Sequence, residues 1–272
     1  MHTFKTSPVE FLRSLCRNRQ LLWALVKRDV LARYRGSSMG LLWSFINPLV
    51  LLGLYTFVFG VVFRSRWGAE DSSTGEFALL LFSGLIVFNL FSEAVGRAPS
   101  SVVNNPNYVT KVIFPLELLP SVALGASVFH AVMSMLVWCC AYIVLRGAPP
   151  VTILLAPLTL IPLFLVILGA SWFLSSLGVY LRDISQIVGL LITMNLFLSS
   201  VFYPLSALPE GVRNVVSVSP LTTAVEQFRQ VVFFGEIPNL RHWLMQCAVG
   251  MLAASLGFAW FQKTRKGFAD VV

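Results

Sequence analysis

The closest approach to a catalytic motif in this chain of 272 residues is the run from Gly257 to Thr264. Its glycine, lysine and threonine have the spacing of a nucleotide-binding loop, which holds phosphates with backbone N–H groups and a lysine. Gln262, however, stands where the second glycine is needed, and the run closes an apolar segment. We therefore reject the motif, and we expect a chain that is not an enzyme and hydrolyses no nucleotide by itself.

Histidine and cysteine, the usual metal ligands and nucleophiles, are scattered along the chain without ligand spacing. They are His2, His130, His242, Cys16, Cys139, Cys140 and Cys247. We therefore predict no metal site and no cofactor in this chain. His130 lies inside a long apolar stretch, where it either relays protons or, more simply, packs through a hydrogen bond. No apolar stretch holds a cluster of acids that would couple transport to protons or sodium.

The elements that position any functional residue must be membrane helices, because three charge-poor stretches exceed the roughly 20 residues that cross a bilayer. They run from Arg35 to Arg64, from Glu117 to Arg146 and from Arg146 to Arg182. Hydrophobic residues make up 57% and charged residues 12%, with a mean hydropathy of +0.79. We predict an all-α integral membrane protein with one domain over residues 1–272. Its six spans are expected near 40–63, 77–96, 118–145, 151–181, 187–205 and 242–262.

The distribution of basic residues predicts the orientation of these spans. Six spans place both termini on one side, and 14 of the 20 Lys and Arg residues then fall on that side. The positive-inside rule assigns it to the cytoplasm. The net charge of +8 is thus an orientation signal and a contact with anionic membrane lipids, and we expect no nucleic acid. The N-terminal residues lack the apolar region of a secretory signal, so no cleavage is expected.

The segment before the first span alternates apolar and basic residues, which is typical of an amphipathic helix lying in the membrane interface. A solvated helix hairpin is the alternative. We assign residues 1–38 to this interfacial segment, 40–262 to the six-span core and 263–272 to a cytoplasmic tail.

Two short loops on the cytoplasmic side carry charges or unusual apolar residues. Glu93 and Arg97, four residues apart, are predicted to pair at the end of the second span. A turn cluster at 104–107 then leads into the amphipathic stretch 108–117, which is too short to span and either docks on a partner or packs on its own membrane domain. Between spans four and five, Arg182 and Asp183 are predicted to form a local charge pair.

The outer segment between 203 and 241 contains two apolar pieces, 212–218 and 225–234, that are half as long as a span. Such pieces are typical of re-entrant helices. Glu226 and Arg229 lie three residues apart in the second piece. Charges at that depth are costly unless they are paired or face water, so they either line a conduit or pair to fix the hairpin.

A series of motifs, in order along nearly the whole chain, resembles the permease subunit of bacterial ABC exporters for polysaccharides. The motifs are 28–37, 40–48, 83–86, 105–115, 180–184, 203–204, 219–221 and 226–229. The resemblance is to the type 2 exporter superfamily, and it is closer to the O-antigen and teichoic-acid exporters than to the capsule exporters. Ser219 departs from the family, in which Asn is common at this position, although Ser can also cap the following helix.

The resemblance implies a homodimer with a conduit between its protomers, each docking one separate nucleotide-binding ATPase subunit that holds ATP and Mg²⁺. The substrate would be an undecaprenyl-diphosphate-linked polysaccharide, O-antigen-like or teichoic-acid-like, exported from the cytoplasm across the bacterial inner membrane. The permease itself would be a multi-pass protein without a cofactor.

The resemblance also implies residue roles. The ATPase-coupling loop would comprise Asn104, Asn105, Lys111, Phe114, Pro115 and Leu116. The gate for the lipid headgroup would comprise Arg28, Asp29, Arg33, Tyr34 and Arg35. The helices that carry Glu226 and Arg229 would cap the exit.

A conduit for a sugar chain should present aromatic faces and few fixed charges, because conduction requires sites that the moving chain can leave. The candidates for its lining are Tyr55, Phe59, Phe88, Phe91, Phe197 and Tyr203.

Three other functions stay open. A drug or small-lipid exporter and a capsular polysaccharide exporter belong to the same superfamily, and the neighbouring genes would distinguish them. An integral membrane enzyme acting on polyprenyl lipids would need acidic clusters in cytoplasmic loops for metal and pyrophosphate, and the sequence contains none.

Overall fold

The computed structural model describes residues 8–62, 74–110 and 114–271, and all regular structure within these ranges is helical. The helices are α1 (Pro8–Arg17), α2 (Arg19–Tyr34), α3 (Trp43–Tyr55), α4 (Thr74–Arg97), α5 (Pro106–Thr110), α6 (Leu118–Arg146), α7 (Ala156–Thr159), α8 (Ile161–Tyr180), α9 (Ile184–Leu198), α10 (Glu210–Val218), α11 (Pro220–Arg229), α12 (Leu240–Thr264) and α13 (Phe268–Val271). Short 3₁₀ turns join several of them, and π-helical turns at Thr56–Val62 and Gln230–Phe234 extend α3 and α11.

In the part of the chain that the structure describes, five helical stretches are long and apolar enough to cross a membrane, which confirms an all-helical membrane protein. They are Gly40–Gly60, Gly75–Arg97, Leu118–Arg146, Val151–Tyr180 and Leu240–Val271. The span predicted over 187–205 is instead α9, which has 15 residues. At 1.5 Å per residue it is about 22 Å long, short of the hydrocarbon thickness of about 30 Å. The six-span layout is therefore not confirmed.

The early end of α9 has a local cause in backbone hydrogen bonding. Ser199 is extended, with φ −86° and ψ 160°, and so cannot continue the helix. The carbonyls of Ser200 and Val201 accept hydrogen bonds from the guanidinium of Arg229 in α11, at 2.5 and 2.7 Å. The apolar composition of 187–205 gives no sign of these hydrogen bonds from Arg229, so the sequence predicts a longer helix.

The N-terminal segment, predicted as one interfacial unit over 1–38, forms two helices that divide at Asn18. Phe11 of α1 is buried against Trp172 and Phe258, with ring centroids 5.5 and 6.0 Å away. Helix α1 thus packs on α8 and α12, so the alternative of a solvated hairpin is wrong for α1.

Helices α8 and α12 form the closest helix pair, and small residues make this approach possible. A Cβ atom on Gly257 would lie 2.1 Å from the carbonyl oxygen of Gly169, and one on Gly169 would lie 2.4 Å from that of Ala253. Gly257, the first residue of the rejected nucleotide motif, is therefore a packing residue between two helix backbones.

The bundle has two ends, which we name by what they carry. The loop end gathers α1, the connection between α4 and α6, and the residues after Lys263. The hairpin end carries α10 and α11, the start of α4 and the end of α6, where Arg146 and Glu76 approach to 3.1 Å. The predicted tail is not free, because the helix runs on past Thr264 and Phe268 is buried against Phe261 and Tyr180.

A buried ion pair fixes the loop end. Arg265 donates to Glu117 Oε2 and to the carbonyl of Phe114, both at 2.9 Å. Ser14 of α1 donates to the other carboxylate oxygen at 2.7 Å, and the Trp172 indole donates to the Glu117 carbonyl at 2.9 Å. Glu117, just before α6, therefore joins α1 and the residues after α12 through its carboxylate, and α8 through its backbone carbonyl.

Candidate functional site

A cavity of about 990 Å³ lies between α2, α3, α4 and α6, and charged side chains line it. Asp29 and Arg33 project from α2, Glu93 and Arg97 from α4, and His130 from α6. Charges in an otherwise apolar bundle are expensive, so they are retained mainly where they face water, a partner or a substrate. This cavity is accordingly the candidate functional site.

Glu93 is the centre of the charged cluster. Its Oε1 lies 2.5 Å from Arg33 Nη1 and 3.8 Å from Arg97 Nη1, and its Oε2 lies 2.8 Å from His130 Nδ1. Arg97 makes its shorter contacts with Asp29, whose carboxylate oxygens lie 2.7 and 2.8 Å from Nη2. The predicted pair of Glu93 and Arg97 is thus the longest contact in the cluster, since Arg97 is directed towards α2.

These contacts attach α2 to the membrane helices. Two of them, from Arg33 to Glu93 and from Arg97 to Asp29, cross from α2 to α4. The arginines stay accessible, with side chains that are 54% and 42% exposed, whereas the side chains of Glu93 and His130 are 18% and 17% exposed. Glu93 and His130 are therefore more enclosed than the two guanidinium groups that contact the cluster.

Tyr34, the last residue of α2, completes this corner. Its ring lies edge-on to His130, with the centroids 6.1 Å apart. Burial raises the pKa of the Tyr34 phenol, while the charge of Arg33 opposes that rise. The phenol is therefore neutral at physiological pH and serves as a donor and acceptor at the cavity wall.

Three of the five predicted gate residues, Asp29, Arg33 and Tyr34, line this cavity. Arg28 is elsewhere: it donates to the Tyr108 hydroxyl of α5 at 2.8 Å and lies over that ring. Arg35 is exposed in the turn after α2. Both are displaced from the cavity because successive side chains of a helix point in different directions.

Sequence reasoning missed the remaining members, Glu93, Arg97 and His130, as parts of one site. Each was visible as a charged or titratable residue within or at the end of a predicted span, which is the usual mark of a functional position. These residues are 60 or more positions away along the chain from the α2 residues that they contact. They come together with α2 only because it packs against α4 and α6.

The predicted coupling loop has an exposed face and a buried face. Phe114 and Leu116 are buried, and the Phe114 ring stacks on Tyr108 with centroids 4.3 Å apart. Of the two alternatives that the sequence leaves open, these two residues favour packing on the protein's own membrane domain, because they contact the loop's own helix and the bundle. Pro115 is half-buried, and Lys111 lies outside the described residues.

The opposite face of this loop is available to a partner. Val103 and Asn104 are exposed, as are Pro106 and Asn107 at the start of α5. Asn105 is half-buried, and its amide donates to the carbonyl of Ser101 at 2.9 Å, which stabilises the turn. The accessible surface is thus small and mixed, with the amides of Asn104 and Asn107 between the apolar Val103 and Pro106.

The predicted local pair of Arg182 and Asp183 does not form. Both side chains are exposed, and no ion pair within 4 Å joins them. Asp183 instead precedes α9, where its carbonyl accepts from the backbone N–H of Gln186 at 3.0 Å. Adjacent residues at a helix start point apart, which accounts for the separation.

Four of the predicted conduit aromatics lie near the hairpin end, around Phe202, which sequence reasoning missed. Phe202 stacks on both Phe59 and Phe197 at 5.8 Å, and Tyr55 lies 6.3 Å from Phe59. The Tyr203 hydroxyl donates to the carbonyl of Phe197 at 2.8 Å. We call Tyr55, Phe59, Phe202 and Phe197 the aromatic row.

The other two conduit candidates are placed differently. Phe88 is buried in the core of the chain, so it offers no surface to a conduit that lies between two copies. Phe91 is half-buried and packs against the same core. Both lie on α4, which is the most enclosed of the long helices because it packs against helices on several sides.

Arg229 fixes the hairpin and does not line a conduit. Its side chain is 1% exposed, and it donates to the carbonyls of Leu80, Ser200 and Val201 and to Glu226 at 3.3 Å. Gly84 leaves room for it, since a Cβ there would lie within 2.4 Å of the guanidinium. The two apolar pieces predicted over 212–218 and 225–234 fall in α10 and in α11 with the π-helical turn that follows it.

Comparisons with known proteins agree with a transport role for such a bundle. The family model described as ABC-2 type transporter matches residues 20–233. The chain is 28% identical to the O-antigen export system permease protein RfbA of Myxococcus xanthus over 97% of this chain and 100% of that one. A protein of the same name from Klebsiella pneumoniae is 24% identical over 93% and 95%. The capsule polysaccharide export inner-membrane protein CtrC of Neisseria meningitidis serogroup B is 24% identical over 94% and 96%.

Replacing Arg229 by alanine is expected to lower the free energy of unfolding by about 3 kcal/mol or more, because buried backbone carbonyls lose their donor. The measurement is thermal unfolding of the purified protein in detergent. Arg213→Ala is the matched control, since Arg213 donates to carbonyls in a more exposed part of the same hairpin segment. Equal losses for the two variants would contradict the assignment.

Proposed function

Because this chain belongs to the ABC-2 type transporter family, we propose that it is the membrane permease of an ATP-driven exporter of lipid-linked polysaccharide. The observation that carries the proposal is the charged cavity between α2, α3, α4 and α6. A glycan attached to a lipid diphosphate needs cationic groups near the membrane surface for its headgroup, and Arg33 and Arg97 are half-exposed there.

The proposed substrate is an undecaprenyl-diphosphate-linked polymer of the O-antigen or teichoic-acid type. Relatives named as O-antigen permeases align over nearly the full length of both chains, which supports this class. Export of a capsular polysaccharide is a second candidate, favoured by the similarity to CtrC over 94% of the chain. A drug or small-lipid exporter would not need a site with two arginines and a histidine.

In this proposal the gate for the headgroup is the C-terminal half of α2. Asp29, Arg33 and Tyr34 line the cavity, and Arg28 connects α2 with Tyr108 of the coupling loop. Arg35 is exposed beyond the helix end, where it suits a contact with anionic lipid headgroups.

The proposed working unit is a homodimer that docks two copies of a separate ATPase subunit, which holds ATP and Mg²⁺. Nearly all of α9 is at least partly exposed in one protomer, and Val188 is its one buried residue. The first span is likewise exposed along much of its length. Such faces require lipid or a second copy to cover them. The aromatic row lies beside them, and we assign it to the conduit wall.

The proposed topology has six crossings, with both termini in the cytoplasm of a bacterium and the protein in its inner membrane. Helix α9 and the residues that follow it would form the fifth crossing, with a thinner bilayer or protein contacts compensating for its length. Helices α10 and α11 would then re-enter from the outer side, held by Arg229.

The experiment that tests the function compares cells with and without this chain. The expected result without it is undecaprenyl-linked glycan accumulating on the cytoplasmic side, with little polymer on the cell surface. The measurement is surface polymer together with the lipid-linked pool, and complementation by the intact chain is the control. Polymer that reaches the surface at the same rate in both strains would contradict the proposal.

The coupling surface can be tested at Asn104, which is exposed and belongs to the proposed loop. Asn104→Arg is expected to reduce co-purification of the ATPase at least about tenfold, because a bulky charge then stands in the interface, equivalent to about 1.4 kcal/mol of binding free energy. Asn214→Arg, an exposed position on α10 at the hairpin end, is the matched control. Unchanged recovery of the ATPase with Asn104→Arg would reject this docking surface.

A further inference from the structure

The cavity contains two carboxylates whose role the proposed function leaves unexplained. Asp29 pairs with Arg97 and Glu93 pairs with Arg33, and all four side chains line the cavity, so both guanidinium groups already have anionic partners inside the protein. A site intended only to attract an anion would not need acids at these positions. Their presence therefore calls for a different explanation.

We infer that Asp29 and Glu93 are built-in counter-ions, which a diphosphate displaces from Arg33, Arg97 and His130, and that this exchange replaces the direct ion pairs between α2 and α4 by longer contacts through the ligand. The inference deepens the proposed function, on which it rests, by stating how the same cavity is regulated. The shared chemistry is the diphosphate group, whether it is carried by a lipid or free in solution.

The contacts that would be exchanged are also those that attach α2. The pair from Arg33 to Glu93 and the pair from Arg97 to Asp29 both cross from α2 to α4. The contacts that would remain are the apolar packing of Leu25, Val26 and Val30 near the middle of α2, the hydrogen bond from Arg28 to Tyr108, and the ring contact of Tyr34 with His130. Losing the ion pairs would therefore leave the C-terminal end of the helix held less firmly than its middle.

The segment after α2 has the freedom that such a movement needs. Gly36 and Gly40 both have positive φ angles, +85° and +52°, and no other atom would lie within 4 Å of a Cβ at either position. Glycine adopts this region without steric cost, and it flexes more readily than other residues. The connection between α2 and the first span is thus an open hinge.

His130 supplies a third group for the anion. Its Nδ1 is engaged by Glu93, while its Nε2 is buried and has no hydrogen-bond partner among the described residues. An imidazole Nε2 that carries a hydrogen is a donor, so this atom can serve a ligand oxygen once movement of α2 uncovers it. The titratable groups that face it are Glu93 and Arg97 from α4, and Arg33, Asp29 and Tyr34 from α2.

The exchange is favourable because of the charges involved. A diphosphate presents more oxygens and more negative charge than a carboxylate, and guanidinium groups bind phosphate through two parallel hydrogen bonds. Ion pairs with a half-exposed arginine are weak in water, so the protein's own pairs are easily replaced. Glu93 and Asp29 thus lower the affinity for the anion, and in its absence they keep α2 packed against α4.

The test measures binding of inorganic pyrophosphate and of farnesyl diphosphate to the purified full chain in lipid nanodiscs, by calorimetry. Glu93→Gln is expected to bind pyrophosphate about fivefold more tightly than the natural protein, because a competing charge has been removed. Asp29→Asn is expected to act in the same direction, and it provides a second variant should Glu93→Gln fold poorly. A purely structural role for Glu93 would weaken binding.

The controls separate the inference from general electrostatics. Glu76→Gln removes a paired carboxylate from the hairpin end of the same helix and should leave pyrophosphate binding unchanged. The double variant Arg33→Gln, Glu93→Gln should lose the increase in pyrophosphate affinity that Glu93→Gln alone produces. A gain with both ligands identifies the diphosphate itself as sufficient, and a gain restricted to farnesyl diphosphate identifies a lipid headgroup as the source.

Two results would overturn the inference: neither carboxylate variant binds either ligand more tightly, or Glu76→Gln produces the same gain. The measurement uses no glycan and no ATPase. Failure here is therefore distinguishable from failure of the export proposal, which is measured by surface polymer in cells.

Discussion

Charge inside an apolar bundle is tolerated only where it is paired, and this constraint organises the whole structure. The few charges that enter the bundle each join elements that are distant in sequence. Arg229 attaches the hairpin to α4 and to the end of α9, and Glu117 with Arg265 attaches α1 and α12 to the loop end. The pair of Arg33 and Glu93 attaches α2 to α4 beside the cavity.

These charged contacts differ in how exposed their side chains are, and this difference indicates which helices can move. Arg229 is fully buried and Glu117 nearly so, and breaking such contacts leaves polar groups unpaired in the interior. Arg33 and Arg97 are half-exposed on a large cavity, where water or a ligand can replace their partners. The hairpin and the loop end are therefore suited to remain fixed, and α2 is suited to move.

Much of the fold was predictable, because long charge-free stretches leave few alternatives to membrane helices. The predictions failed where single contacts decide. Helix α9 ends early because Arg229 takes the carbonyls that follow it, and Phe114 is buried because Tyr108 stacks on it. At the candidate site, the sequence points to residues of α2 that line the cavity. Its partners Glu93 and His130 depend on the packing of three helices, which periodicity does not encode.

The central claim is that α2 separates from the membrane helices when a diphosphate enters the cavity. The most direct measurement is the distance between spin labels at Leu31 of α2 and Val132 of α6, both exposed, in a variant without its four native cysteines. The account predicts that farnesyl diphosphate shifts the distance distribution to longer values. An unchanged distribution at saturating ligand would contradict it.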